Sequence, residues 1–325
     1  MARVLVTGGD GFVGEHLIAH LLAEGREVTA STLALPPRRD TLTSDQASAV
    51  DWKLADVLDP AALFRVVAAV RPDEICHLAG FSSGARAREE PEAAMRINAG
   101  GTVNLFEAVL NARADFPDLN PRVLVMGSGA SYGHSAVDDV GLAEDLPLLP
   151  LSAYGLSKAC QELVAHSYGR SSGLRVVVAR AFHLIGPGQR TDFVVPSLCE
   201  QVAGIADGRL EPVLQVGNTE VERDFLDVRD GVRAFRIMLE LDEPSNAYNV
   251  CSGRATPIRQ MLDWILDEAG VEPEVMRDPS RVRHGEPDRI TGDPGRLLRS
   301  SSFEPQRDIQ ATVRETYRWY TGMAP

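Results

Sequence analysis

Tyr154 and Lys158 stand four residues apart in the run Ser152-Ala-Tyr-Gly-Leu-Ser-Lys158. On a helix that spacing sets both side chains on one face, about one turn apart. An ammonium beside a phenol favours the phenolate and lowers a tyrosine pKa from its reference near ~10. A tyrosine so tuned gives a proton to a carbonyl, or takes one from an alcohol, while hydride moves elsewhere. The chain holds only two lysines, Lys53 and Lys158, against many arginines. A sequence that uses arginine almost everywhere keeps lysine here.

The elements that must position this pair alternate along the first two-thirds of the chain. Short β-branched runs at Arg3–Thr7, Glu27–Ser31, Val50–Ala55, Glu74–Leu78, Arg122–Gly127 and Arg175–Arg180 read as strands. Amphipathic stretches at Gly11–Glu24, Pro60–Val70, Glu89–Arg113 and Ser152–Ser171 read as helices. That order predicts an α/β fold of the Rossmann type, a doubly wound parallel sheet. After Gly186-Pro-Gly188 the alternation breaks, with short helices expected at Val194–Ala206, Arg229–Leu241, Pro257–Ala269 and Ile309–Tyr320. We therefore expect a dinucleotide-binding domain over residues 1–180. Residues 181–325 should form mainly a smaller substrate-binding lobe, with segments returning to the first domain.

A chain of 325 residues can bury a large core, and apolar and charged fractions of 44% and 24% are ordinary for a globular protein. The net charge of −13 argues against nucleic acid or an anionic membrane as the main partner, while leaving room for a local arginine cluster to hold an anionic ligand. No apolar run reaches the ~18 residues of a membrane span, and Met1-Ala-Arg leads directly into a strand. Cys76, Cys160, Cys199 and Cys251 lack metal spacing and sit in apolar strings, so buried thiols in a reducing cytoplasm are expected.

Thr7-Gly8-Gly9-Asp10-Gly11-Phe12-Val13-Gly14 follows the first strand at once and opens the first helix. Gly8, Gly11 and Gly14 allow a tight turn, let backbone amides approach a pyrophosphate, and let helix pack on strand. The helix N-terminus adds partial positive charge, so a dinucleotide is the expected ligand, with Phe12 and Val13 beside it. The second strand ends Thr29-Ala-Ser-Thr32-Leu33 with no acid for a ribose diol, and Arg38-Arg39 follow shortly after. This favours a 2′-phosphate, hence NADP(H) over NAD(H), with Thr32 and Arg38 at the ribose. Asp56 and Val57, after the third strand, are placed to meet the adenine. His77-Leu78-Ala79-Gly80 ends the fourth strand where the second half of the dinucleotide should pass, and His77 itself reads equally as a structural histidine.

Together, the glycine-rich turn, His77–Gly80, Asn98-Ala-Gly-Gly-Thr102, Ser128 with Tyr132-Gly133, and Tyr154–Lys158 resemble the extended short-chain dehydrogenase/reductase family over essentially the whole chain. Arg180-Ala-Phe-His-Leu-Ile-Gly-Pro-Gly-Gln189, Glu222–Asp230 and Tyr248–Gly253 resemble its sugar-nucleotide branch, most nearly the GDP-4-keto-6-deoxy-D-mannose reductases and their GDP-mannose 4,6-dehydratase relatives. The resemblance implies Ser128, Tyr154 and Lys158 as catalytic residues, and Asn98 as the group that steadies the helix carrying them. It implies a nucleotide-sugar substrate held by Ser82, Ser128, Val194, Arg223, Arg283 and Glu286, with His183 expected at the same substrate in place of the family's asparagine. Guanidinium forks suit phosphate oxygens, and a carboxylate suits a ribose diol. It also implies a homodimer paired through the helices expected at Glu89–Arg113 and Ser152–Ser171.

Two departures from the family pattern matter. The dehydratases carry a carboxylate two residues before the tyrosine of the Tyr-Gly pair, where this chain has Ala130, so net redox chemistry or epimerisation remains. The usual Phe-Asn-His before Gly-Pro-Gly is Phe182-His183-Leu184 here, so either His183 replaces that asparagine at the substrate diphosphate or the substrate differs from the family's usual one. The expected reaction is hydride transfer to the 4-keto carbon of a nucleotide-linked 6-deoxyhexose. Tyr154 supplies the proton, Ser128 holds the oxygen, and Lys158 lowers the tyrosine pKa and holds the nicotinamide ribose. An NAD-dependent epimerase is the rival reading, and a catalytically silent dinucleotide-sensing protein a third.

Overall fold

The computed structural model describes residues 2–133, 141–241, 246–281 and 287–322. Thirteen strands occur among them: β1 (Arg3–Thr7), β2 (Glu27–Thr32), β3 (Asp51–Leu54), β4 (Glu74–His77), β5 (Arg122–Ser128), β6 (Arg175–Ala181), β7 (His183–Ile185), β8 (Val213–Val216), β9 (Glu222–Asp227), β10 (Ala247–Val250), β11 (Ala255–Pro257), β12 (Glu274–Arg277) and β13 (Arg289–Ile290). The helices are α1 (Phe12–Ala23), α2 (Ser44–Ser48), α3 (Pro60–Val70), α4 (Gly84–Glu89), α5 (Pro91–Met95), α6 (Gly101–Asp115), α7 (Ala153–Ser172), α8 (Val194–Ala206), α9 (Val228–Met238), α10 (Ile258–Ala269), α11 (Gly295–Ser300) and α12 (Ile309–Tyr320).

Seven strands form one parallel sheet in the order β10-β6-β5-β4-β1-β2-β3. The inner strands are apolar on both faces, as a sheet covered by helices on both sides requires. Along β1, Val4 and Val6 join the core against α1 and α9, while Leu5 joins the core against α3 and α6. Full burial of each such side chain contributes about 1.5–3 kcal/mol. The chain order reverses at β1 and β4, and their carboxyl ends form the crevice where such sheets take ligands.

All six strands expected from the sequence are present. The seventh, β10, was not foreseen: after Ile185 the chain returns to lie beside β6, with Ala247 opposite Val178. Helix α9 likewise packs on the sheet through Val232, Phe235 and Met238. A separate apolar cluster joins α8, α10 and α12 to β8 and β9 through Val195, Leu198, Leu214, Phe225, Met261, Leu262 and Val313. Around β9, strands β7 and β13 pair parallel and β11 antiparallel.

The helix expected over Glu89–Arg113 is present from Pro91 to Asp115, continuous through α5, one π-helical turn and α6. Pro91 begins α5 and cannot continue α4, because a mid-helix proline lacks the N–H and clashes with the preceding turn. The wide, π-helical turn covers Arg96–Gly100 and leads into α6. Among the described residues no helix is long and apolar enough to cross a membrane.

Candidate active site

The glycine-rich turn is built for close approach. Gly8 has φ +69°, and a Cβ there would stand 2.8 Å from the Ala79 backbone, so the ends of β1 and β4 nearly touch. Helix α1 starts at Gly11 without any side-chain cap, leaving its first amides and the positive end of its dipole to an anion. Gly11 and Gly14, with Phe12 and Val13 between them, form this opening turn, and Phe12 stacks edge-on against His16 at 5.4 Å. A pyrophosphate fits these groups: the cradle is one that any side chain would fill.

Beside the turn, Thr32 ends β2 and donates to the Asp10 carboxylate at 2.6 Å. An acid therefore does stand at the end of β2, supplied by the glycine-rich turn, where only the absence of one could be read from the strand. Arg38 is 61% exposed and paired with Asp40 at 2.9 Å. The segment carrying it is fixed by buried Glu15, whose carboxylate accepts from the amides of Asp40 and Leu42 at 2.8 and 3.0 Å and from the Thr41 hydroxyl at 2.8 Å. Asp56 is exposed and accepts from Leu58 N at 2.8 Å. The Val57 side chain is buried in the core, and its carbonyl accepts from Asn104 at 2.9 Å. Leu78 and Ala79 are half-buried at the end of β4, and Gly80 is exposed.

Ser128, Tyr154 and Lys158 come together at the carboxyl end of β5. Ser152 caps α7 by accepting from Gly155 N at 3.0 Å, which places Tyr154 in the first turn. A Cβ on Gly155 would lie 2.5 Å from the Ala130 carbonyl oxygen, so a glycine is what lets the helix close on the turn Gly129–Ser131. Ser128 is 8% exposed, accepts from Ala130 N at 3.1 Å, and stands near enough to the Tyr154 phenol to lower its pKa. The Tyr154 ring packs on Phe81, Ala87 and Ala94. The Lys158 ammonium donates to Met126 O and Gln161 Oε1, both at 2.9 Å, and lies 3.4 Å from where a Gly80 Cβ would be.

The electrostatics differ from the sequence expectation. Burial raises the Tyr154 pKa, partly offset by the neighbouring Ser128 side chain, and the lysine does not enter. Burial lowers Lys158 to about 7. The physical reason is that spacing along a helix fixes which face a side chain occupies but not where its end goes. Here the ammonium is drawn to the end of β5 and to Gln161, and desolvation governs the phenol.

Asn98 sits at the wide turn and joins three segments: its side chain accepts from Phe81 N at 2.8 Å and donates to Phe81 O at 3.1 Å and to Ser157 Oγ at 2.8 Å. It thus ties the chain after β4 to the helix bearing Tyr154. His77 is fully buried between Thr7 and Thr102, and burial beside Lys158 pushes its pKa down to about 3.

The expected substrate residues are spread more widely. Ser82 is exposed just before α4. His183 is exposed on β7, with its ring 5.4 Å from Phe225. Val194 begins α8 and is 42% exposed. Arg223 is buried on β9 and donates to the carbonyls of Glu222 and Asp288 at 2.8 and 3.0 Å. Arg283 and Glu286 lie outside the described residues. Asp10, Glu15, Thr102 and Gln161 were not singled out in the sequence. For Gln161 a signal existed: it follows Lys158 by three residues, hence shares its helix face.

A family model described as GDP-mannose 4,6 dehydratase matches residues 5–316. The chain belongs to this family. It is 35% identical to the GDP-6-deoxy-D-mannose reductase of Pseudomonas aeruginosa over 96% of this chain and 95% of that one. The structure of RMD from Pseudomonas aeruginosa complexed with NADPH superposes with a TM-score of 0.82 at 33% identity, covering 99% of this chain and all (100%) of that one. The Thermus thermophilus UDP-glucose 4-epimerase in complex with NAD superposes with a TM-score of 0.85 at 29% identity, covering 98% and 99%.

Proposed function

We propose that this chain is an oxidoreductase of nucleotide sugars that reduces the 4-keto group of a nucleotide-linked 6-deoxyhexose, of the GDP-4-keto-6-deoxymannose type. The observation that carries this reading is the convergence of Ser128, Tyr154 and Lys158 at the end of β5, with Ala130 at the position where a dehydratase needs a base. The similarity to a GDP-6-deoxy-D-mannose reductase supports the same substrate class.

The cofactor is a nicotinamide dinucleotide, which in its reduced form supplies the hydride. The uncapped start of α1 and the Gly8–Gly14 turn hold the pyrophosphate, and Thr32 stands at the adenosine ribose. Arg38 beside that ribose, and the NADPH complex of RMD, support NADP(H) as the preferred form. Ser128 holds the substrate oxygen in place by hydrogen bonding. Tyr154, whose raised pKa keeps its proton on the phenol at neutral pH, is the acid that delivers it to the forming alkoxide. Lys158 reaches toward the end of β4 and anchors the nicotinamide ribose, retaining one N–H beyond those given to Met126 and Gln161. Arg223, Arg283 and Glu286 grip the nucleotide, and Ser82, His183 and Val194 border the sugar.

Two further parts of the reading concern setting. The chain pairs as a homodimer through α7, where Leu156 and Leu163, seven residues apart on one face, are 47% and 60% exposed. It works in the cytoplasm, where its free cysteines stay reduced.

The test is to follow consumption of NADPH by the purified protein with GDP-4-keto-6-deoxymannose and identify the product. Rapid oxidation with formation of a GDP-6-deoxyhexose is the expected outcome. No net consumption, with NAD carried through purification and an epimerised sugar released, would instead favour the epimerase reading.

A further inference from the structure

Lys158 is 5% exposed, and two of its ammonium protons are committed, to Met126 O and to Gln161 Oε1 at 2.9 Å each. Gln161 is fully buried, and its other end is also fixed: Nε2 donates to Thr102 Oγ1 at 2.9 Å. The single Thr102 proton goes to the Asn98 carbonyl at 2.7 Å, so this hydroxyl accepts from both Gln161 and His77 Nε2, the latter at 3.0 Å. Donor accounting therefore assigns the His77 proton to Nε2, leaving Nδ1 to accept from Thr7 Oγ1 at 2.8 Å. Thr7 Oγ1 accepts in turn from Ala79 N at 3.2 Å. Each proton position follows from its neighbour, so the Gln161 amide has one allowed orientation, with its carbonyl aimed at Lys158.

We propose that Gln161 is a positioning residue for Lys158, held by the buried chain Gln161–Thr102–His77–Thr7, which ties the ammonium to the strand end that opens the glycine-rich turn. The inference rests on the reading of Lys158 as part of the reacting centre. A neutral carbonyl facing an ammonium stabilises its charged form, and a buried lysine has no water to replace that acceptor. Without it the ammonium loses both its direction and part of the support for its charge.

Few titratable groups act on Lys158 among the described residues. β4 presents His77, which stays neutral, and α7 itself carries Tyr154 one turn back. β5 presents the Met126 carbonyl and Ser128; the segment 98–102 presents Asn98 and Thr102. Glu162, adjacent to Gln161 in sequence, is committed to Arg180 at 2.6 Å and to His166 at 3.2 Å. Burial alone accounts for the shift at Lys158.

The chain has only two lysines, so protein labelled with carbon-13 at the lysine ε-carbon gives two NMR signals, with Lys53 as internal reference. We would titrate wild type, Gln161→Leu and Gln161→Glu, and record the pH profile of kcat alongside. The Lys158 midpoint should fall by about one unit in Gln161→Leu, the scale of a lost hydrogen bond to a charge. It should rise by about one unit or more in Gln161→Glu, where a carboxylate faces the ammonium. The alkaline limb of kcat should move in the same two directions, while Lys53 stays put. A side chain that only fills space does not give opposite shifts, so an unchanged Lys158 midpoint in both variants overturns the proposal. If Gln161→Leu does not fold, the near-isosteric Gln161→Glu decides alone, and no upward shift there overturns it. An active Lys158→Met enzyme sinks the catalytic reading of Lys158 and leaves the titration result on Gln161 standing.

Discussion

The Lys158 ammonium donates to the carbonyl oxygen of Met126 at 2.9 Å, two residues before Ser128. This bond latches α7 to the end of β5 and fixes how far Tyr154 stands from Ser128. The phenol is therefore set by its helix as well as by its own contacts. Tyr154→Phe removes the proton donor while leaving the ring packed on Phe81, Ala87 and Ala94. Turnover should fall by about 10²–10⁴-fold, the scale of lost general acid catalysis. NADPH affinity, measured by quenching of protein fluorescence, should stay within a few-fold. Undiminished turnover would remove Tyr154 from the mechanism.

On the proposed placement of the adenosine ribose, Arg38 and Asp10 act in opposite directions on a 2′-phosphate. Arg38 offers charge to a 2′-phosphate but is shared with Asp40, whereas Asp10, anchored by Thr32, opposes a phosphate there. Arg38→Ala should lower the ratio of kcat/KM for NADPH over NADH by about tenfold, the scale of one charge-assisted hydrogen bond. Asp10→Asn should raise the same ratio. A ratio unmoved by either substitution would place the 2′-phosphate elsewhere.

His77 gives a prediction for acid stability. Its folded pKa, about 3, lies below the ordinary 6.5 because the site is dry and Lys158 is near. The unfolded chain thus takes up this proton first. Stability from this group is full above 6.5 and is lost as pH falls from there toward about 3, by up to about 1.4 kcal/mol per pH unit. Thermal unfolding of His77→Gln between pH 7 and 4 should show a shallower fall in Tm than the wild type. Parallel slopes would mean that His77 takes up a proton inside the fold.

Leu163, 60% exposed on α7, tests the dimer. Leu163→Glu sets a charge in the proposed helix–helix face and should shift the mass measured by light scattering from dimer toward monomer. Folding, followed by circular dichroism, should be unaffected, since an exposed position carries little stability. A monomeric wild type would refute the assembly at once.

The motifs legible in the sequence are those whose meaning is local. A glycine-rich turn between a strand and a helix needs only about eight residues to declare itself, and the hydrophobic runs of β1, β2, β4, β5 and β6 are largely buried whatever lies beside them. Pro91 was equally visible, and it opens α5, so the helix expected from Glu89 starts two residues later. The pair Tyr154 and Lys158 was correctly set on one helix face. Which atoms their ends meet depended on β5 and Gln161, so the tyrosine pKa moved opposite to expectation.

Thus the sequence by itself determined the sheet, the dinucleotide turn and the residue types of the reacting centre, because periodicity, turn chemistry and short spacings are properties of neighbouring residues. Only the tertiary structure decided the rest. It brought Thr7 and His77, 70 residues apart, within 2.8 Å, and it placed the Asp10 carboxylate at the end of β2. It added β10 from the last third of the chain to the edge of the sheet beside β6. It also turned Lys158, on α7, into a buried ammonium held by a carbonyl from β5. Hydrogen-bond direction and desolvation belong to atoms that meet across the fold, and no spacing along the chain encodes them.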